Sequence, residues 1–230
     1  MKKAKSIKYD LIYPNGDHCQ HEIVLEPDTM EHKAPTASAP EWCDLEFHKC
    51  EICPLSKTET PTCPLAMRVA PLFQFPIHES FETVEVKVTK DNVTINAETT
   101  VQNAYRSLVG LIIATSGCPH TRFFKPMAWF HLPFATEDET IFRACATFLL
   151  FQFFNPDETD KENHISDLRT VYENIHEVNL GIAKRLESAS ANSSALNAIV
   201  ILDIFAKSIL PVLNESLSEL AFLFTPKTEL

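Results

Sequence analysis

Only four glycines occur in this chain of 230 residues, Gly16, Gly110, Gly117 and Gly181, and no two of them stand close together. A dinucleotide-binding fingerprint, a phosphate loop and a G-x-S-x-G elbow all need glycines in clusters, because the backbone must turn tightly or approach a phosphate where a Cβ would intervene. Those enzyme classes are excluded. Long apolar runs are also missing. The richest, Leu108 to Thr115 and Ala195 to Ala206, are short or broken by Asn197 and Asp203, whereas a bilayer span needs roughly 18 to 20 apolar residues. Met1-Lys2-Lys3 leads into Ile7, Tyr9 and Leu11 alternating with polar residues, not into the continuous apolar core of a secretory signal. A soluble, cytoplasmic protein with no membrane partner is expected. Positive charge is scarce as well: 20 Lys and Arg against 31 Asp and Glu leave a net charge of −11. With no basic stripe to displace counterions from phosphates, nucleic acid is not an expected partner.

What is present is ordinary globular material, 45% hydrophobic and 22% charged, enough for a sizeable core. Lys8 to Leu25 predicts a β-hairpin: Tyr9, Leu11 and Tyr13 alternate with polar neighbours, and Pro14-Asn15-Gly16-Asp17 supplies the turn. Glu26 to Glu41 carries Pro27, Pro35 and Pro40 and reads as a linker or mobile loop. A cysteine-rich stretch, Trp42 to Cys63, precedes a short helix from about Pro64 to Phe75 that Pro76 ends. Val84, Val86 and Val88, then Val93 and Ile95 across a turn at Lys90-Asp91-Asn92, predict a second hairpin.

From Thr100 onward the spacing is helical. The first long helix carries Val101, Ala104, Tyr105, Leu108 and Ile112 and closes at Gly117 and Pro119. Thr136 with Glu139 forms a capping box for the next, which stops at Asn155-Pro156. Ile165 to Leu186 shows one apolar stripe and an otherwise solvated face, and Ser194 to Phe224 is apolar nearly all round as far as Ala206, with a kink at Pro211. The expected fold class is α+β, with two hairpins and a cysteine-rich knuckle (residues 1–97) packed on a C-terminal helical bundle (98–230) as one cooperative unit.

Seven cysteines are an odd set, better read in a reducing compartment as metal ligands plus buried thiols than as a disulfide framework. Cys50-x2-Cys53 places two thiolates on one turn, and Cys63 follows at a plausible return distance for a tetrahedral site. The candidate fourth ligands are Cys118, whose Cys-Pro step echoes Cys53-Pro54 and Cys63-Pro64, then His48, then Cys43. Structural zinc is the first expectation; an iron-sulfur cluster and metal-free packed thiols are the alternatives. Cys145, inside an apolar helix, reads as a core thiol, and Cys19 as a strand residue with no supporting partner.

Ser116-Gly117-Cys118-Pro119-His120-Thr121-Arg122 admits a catalytic thiol helped by His120 and Arg122. The end of the preceding helix, however, turns its negative pole toward Cys118. The aromatic run Phe123 to Phe134 reads as packing between helices. Glu173-x2-His176 has di-iron ligand spacing, but no second copy exists, and it reads as a solvated face. Arg143 and Asp203 each interrupt an apolar helical surface, so both are expected to be buried with partners, either each other or locally Glu139 and Lys207.

At Leu45 to Leu55, Cys63-Pro64, Thr115 to Pro119, His131-Leu132-Pro133-Phe134-Ala135, Glu139-Thr140 with Arg143, and Asn197-Ala198 with Leu202-Asp203, the sequence resembles an uncharacterised bacterial family, a domain of unknown function. The resemblance implies that Cys50, Cys53, Cys63 and Cys118 belong to a shared pattern, and it supplies no activity. Two functions are expected in turn. The first is a non-enzymatic, metal-stabilised binding or regulatory protein that takes a protein partner or small ligand through the aromatic segment and bundle. The second is a thiol- or metal-dependent enzyme centred on Cys118 and His120, assisted by Arg143 and Asp203.

Overall fold

The computed structural model describes residues 3–33, 35, 39–74, 78–155, 166–189, 197, 199, 200, 202, 203 and 224. Strands β1 (Lys5–Ile12), β2 (His18–Leu25), β3 (Thr83–Lys90) and β4 (Val93–Thr100) form one antiparallel sheet in the order β2-β1-β3-β4. Both expected hairpins are present, and the β1–β3 pairing, with Tyr9 opposite Val88, joins them into one sheet. Alternation decides which face is dry: Ile7, Tyr9 and Leu11, then Val84, Val86 and Val88, are buried, while Glu85 and Lys87 between them are exposed.

The helices are α1 (Pro64–Val69), α2 (Val101–Ala114), α3 (Lys125–Trp129), α4 (Glu137–Phe154) and α5 (Ser166–Ser188), with 3-10 turns at Ala70–Gln74 and Pro119–Phe124. The fold is α+β. Helix α2 lies against the dry face of the sheet and buries Val101, Ala104, Tyr105, Leu108, Val109 and Ile112. One hydrophobic core includes that sheet face, α1, α2 and Val178, Ile182 and Leu186 of α5, so it crosses the boundary at 97/98. A smaller cluster gathers Ile141, Ala144, Cys145 and Phe148 of α4 with Leu168, Tyr172 and Ile175 of α5. Cys145 is thus a core thiol, as expected.

The capping box on α4 is complete: the Thr136 hydroxyl accepts from Glu139 N–H at 3.2 Å, and the Glu139 carboxylate accepts from Thr136 N–H at 2.8 Å. Thr136→Ala is expected to cost about 1 kcal/mol in equilibrium urea unfolding, because one end of that exchange is lost. Past its cap, α4 is apolar all round. Leu149, Leu150, Phe153 and Phe154 remain exposed, and Phe224 stacks on Phe142 with ring centres 6.4 Å apart.

Two expectations are corrected. Residues 26–33 are not a free linker. His32 N–H donates to Thr115 O, Arg68 Nε donates to His32 O, and Lys125 binds both Thr29 O and the Glu31 carboxylate. Nor is α5 solvated off a single stripe. Toward its end it buries Gly181 and Arg185 as well, because a second surface, the cysteine-rich loop, packs on it. Of the expected helix Ser194 to Phe224, all but 197, 199, 200, 202, 203 and 224 lies outside the described residues, as does Lys207.

Candidate functional site

Two places concentrate chemistry, and both lean on α5. The first is built from the cysteine loop. Cys53 N–H bonds back to Cys50 O at 3.0 Å, forming the turn that brings both thiols to one side. A bridge pairs Asp44 with Thr62, and Cys63 N–H donates to Cys43 O at 2.8 Å, returning the chain so that Cys63 opens α1 directly before Pro64.

The Cys118 loop is shaped by its own small residues. Thr115 and Ser116 hydroxyls donate to Leu111 O and Ile113 O, Cys118 N–H donates to Ser116 Oγ, and Thr121 Oγ1 donates to Cys118 O. Gly117 stands at φ +80°, where a Cβ would also lie 2.9 Å from the Glu31 carboxylate. The loop docks on the knuckle through the His120 ring, whose Nε2 is 2.8 Å from Ile52 O.

This docking brings the Cys118 sulfur near those of Cys63, Cys50 and Cys53, each of which raises its pKa. Burial is the larger cause and pushes the Cys118 thiol up to about 12, against a hydrogen bond from the His120 backbone N–H. Cys50 is pushed up to about 11, again mainly by burial, with Cys63 and Cys53 adding to it and Arg185 opposing. Cys50, Cys53, Cys63 and Cys118 therefore lie in one neighbourhood. Electrostatic influence reaches several Å further than ligation, however, and among the described residues no three His, Cys, Asp or Glu side chains stand in a metal-holding arrangement. The fallback ligands are differently placed. Cys43 is fully buried with its thiol pushed up to about 12, chiefly by burial, and His48 Nε2 lies 2.9 Å from Ser188 Oγ.

Helix α5 closes this region with two residues that the sequence reading passed over. A Cβ at Gly181 would stand 2.5 Å from the Cys50 sulfur, so only glycine allows the helix so close. Gly181→Ala is expected to displace the knuckle and cost about 1 to 3 kcal/mol, read as a lowered denaturation midpoint. Arg185, 1% exposed, donates through Nη1 to Trp42 O and Asp44 O, both at 2.7 Å, and through Nη2 to Leu45 O at 2.9 Å.

The second place is a cavity of about 190 Å³ between α2, the aromatic segment, α4 and α5, lined among others by Gly110, Leu111, Phe124, Met127, Phe134, Ile175 and Leu202. Its wall is mostly apolar, and two deeply buried polar groups on it have no hydrogen-bond partner among the described residues. These are the Tyr172 hydroxyl and both side-chain amide atoms of Asn179, residues 3% and 2% exposed. Arg143 lines the same cavity and donates through Nη2 to Met127 O at 2.6 Å and Phe130 O at 3.1 Å. Beside it Ser107 Oγ and His131 Nε2 both meet the Tyr9 hydroxyl, at 2.7 and 2.5 Å.

Arg143 and Asp203 are both hydrogen-bonded, as expected, but not to each other: Asp203 is buried and 2.6 Å from His176 Nδ1, whereas Arg143 is only half-buried, against the expectation that both are buried. His176 is thereby taken off the solvated face, while Glu173 stays exposed. The local partner foreseen for Arg143 is supported by Glu139, which raises its pKa against the lowering by burial. Cys19 also has a partner after all, His21 Nε2 at 3.0 Å.

Burial lowers three histidines, His21 and His32 to about 4 and His131 to about 3, with Arg68 assisting at His32 and Arg143 and Lys90 at His131. Each is neutral when folded and takes a proton near pH 6.5 when unfolded, so its contribution is complete above that pH and is lost as pH falls toward 4. Unfolding free energy measured by urea titration is expected to fall across that window, by up to about 1.4 kcal/mol per pH unit for each histidine.

The chain belongs to the family described as domain of unknown function (DUF6901), whose match covers residues 7–225. No curated protein and no solved structure matches it. No helix among the described residues is long and apolar enough to cross a membrane.

Proposed function

We propose that this DUF6901 protein is a cytoplasmic, metal-stabilised binding protein whose ligand is a small molecule held in the cavity between α2, α4 and α5. The observation that carries the reading is the pair of orphaned polar groups, Tyr172 Oη and the Asn179 amide, on an otherwise apolar wall. A buried polar group left unpaired costs roughly 1 to 3 kcal/mol, and a ligand that supplies the missing bonds recovers it. A mostly apolar cavity with a few convergent polar groups is also the usual form of a ligand site.

In this reading Cys50, Cys53, Cys63 and Cys118 hold a structural zinc ion, and four thiolates are a donor set suited to zinc or to an iron-sulfur cluster. The ion would supply the stability that a loop with so few core side chains lacks. The alternative enzyme, built on Cys118 and His120, is weakened by two features. Cys118, as one of the four ligands, is not free to attack a substrate, and the His120 ring is engaged by Ile52 O.

The cavity is tested with toluene, an apolar probe small enough to enter, in a titration followed by NMR. Saturable shifts of the Ile175, Leu111 and Met127 methyl groups are expected. No shift at saturating toluene, with the protein folded, would sink the ligand reading.

A further inference from the structure

We propose, building on the cavity reading above, that the ligand is a small monocarboxylate with an apolar body about the size of a single aromatic ring. Size comes first. An engineered apolar cavity of about 150 Å³ holds benzene, so about 190 Å³ accommodates a six-membered ring with one small substituent.

Charge decides the substituent. Among the described residues, the charged side chains lining the cavity are Arg106 and Arg143, and no Asp or Glu lines it. Lys90 reinforces the positive field from just outside, with its ammonium on His131 O at 2.8 Å; burial is the main cause that lowers its pKa, and the Arg143 charge adds to it. Glu139 on α4 and Asp91 beside Lys90 offset part of this field. His131 is neutral and contributes no opposing charge.

The hydrogen-bonding groups agree with the charge. Tyr172 and Arg143 both line the cavity. Burial holds the Tyr172 phenol protonated, and among the described residues it is a donor without an acceptor. A guanidinium and a phenol on one cavity wall are donors suited to a carboxylate, and the guanidinium repels an amine. Asn179, seven residues along α5 on the same face, adds an unpartnered amide that offers two donors and an acceptor to a polar substituent on the ring. Arg143 is held in place for this task because one of its amino groups is tied to two carbonyls of the aromatic segment.

The experiment is a ¹⁹F NMR titration of the full chain with three probes of one shape: 4-fluorobenzoate, neutral 4-fluorobenzamide and cationic 4-fluorobenzylamine. The expected result is that the benzoate binds at least tenfold more tightly than the amide, with no saturable binding of the amine. Tyr172→Phe, which removes only the hydroxyl, is expected to weaken the benzoate severalfold and leave the amide nearly unchanged. Arg143→Met should abolish the preference, and the wild-type comparison stands without it should that variant fold poorly. Amide or amine binding as tight as benzoate overturns the anion assignment while the toluene result keeps the cavity reading. Failure of toluene and of all three probes overturns both.

Discussion

Cys53→Ser is expected to leave the purified protein without stoichiometric metal and to lower its unfolding free energy by more than about 4 kcal/mol, since loss of a structural metal ranks among the largest single-site effects. Cys145→Ser is expected to keep its metal and lose about 1 kcal/mol or less, because that buried thiol lies in the α4–α5 apolar cluster, away from the cysteine loop. The contrast follows from placement. Cys53 shares a turn with Cys50, and the Ile52 carbonyl between them receives the His120 ring that anchors the Cys118 loop. A metal drawing the four sulfurs together would fasten the N-terminal loop to the helical half. Elemental analysis of protein handled without chelator, alongside thermal unfolding, is the measurement. Wild-type protein isolated with neither zinc nor iron, or Cys53→Ser protein with a full complement of metal, would remove the ion from the account and leave packed thiols.

Arg185→Met should be nearly as damaging, at about 3 to 5 kcal/mol, the usual result of removing one member of a buried charged hydrogen-bonded group. Three carbonyls, those of Trp42, Asp44 and Leu45, converge on this guanidinium at 2.7 to 2.9 Å, and methionine fills the space without donating to any of them. Lysine is expected to rescue little, because an ammonium cannot reproduce the planar fork that reaches all three. Hydrogen exchange should reveal the loss first in residues 42–63, with the sheet amides still protected, because the loop depends on this residue and the sheet does not. Uniform stability in Arg185→Met, or loss of protection in the sheet before the loop, would show that the guanidinium does not hold the loop in place.

Both residues bear on what could be read in advance. The cysteine pattern was visible because its signal is local: a C-x2-C turn and repeated Cys-Pro steps. Arg185 carried a signal too, since it stands three residues after Ile182 and next to Leu186, on the edge of the apolar stripe of α5. Asn179 lies between Ile175 and Ile182 at helical spacing, squarely on that stripe. A polar residue on a core stripe was taken as meaningful at Arg143 and Asp203 and overlooked at 179 and 185. The partners of Arg143, Asp203 and Arg185 were beyond reach, because hydrogen bonds to Met127 O, His176 or Leu45 O depend on which elements meet in space.

The sequence by itself determined the four strands, helices α1, α2, α4 and α5, and the wet and dry faces of the sheet. Strand alternation, the Thr136 cap, the glycine and proline stops and the helical spacing are short-range patterns that act within a few residues. Tertiary structure decided that β1 pairs with β3, that residues 26–33 fold back onto the end of α2, and that α5 presents Gly181 and Arg185 to the cysteine loop and Tyr172 and Asn179 to the cavity. The reason is physical: each of these contacts joins segments far apart in the chain, so it is fixed by the packing of the whole core and by the need to satisfy buried polar groups, which no local pattern encodes.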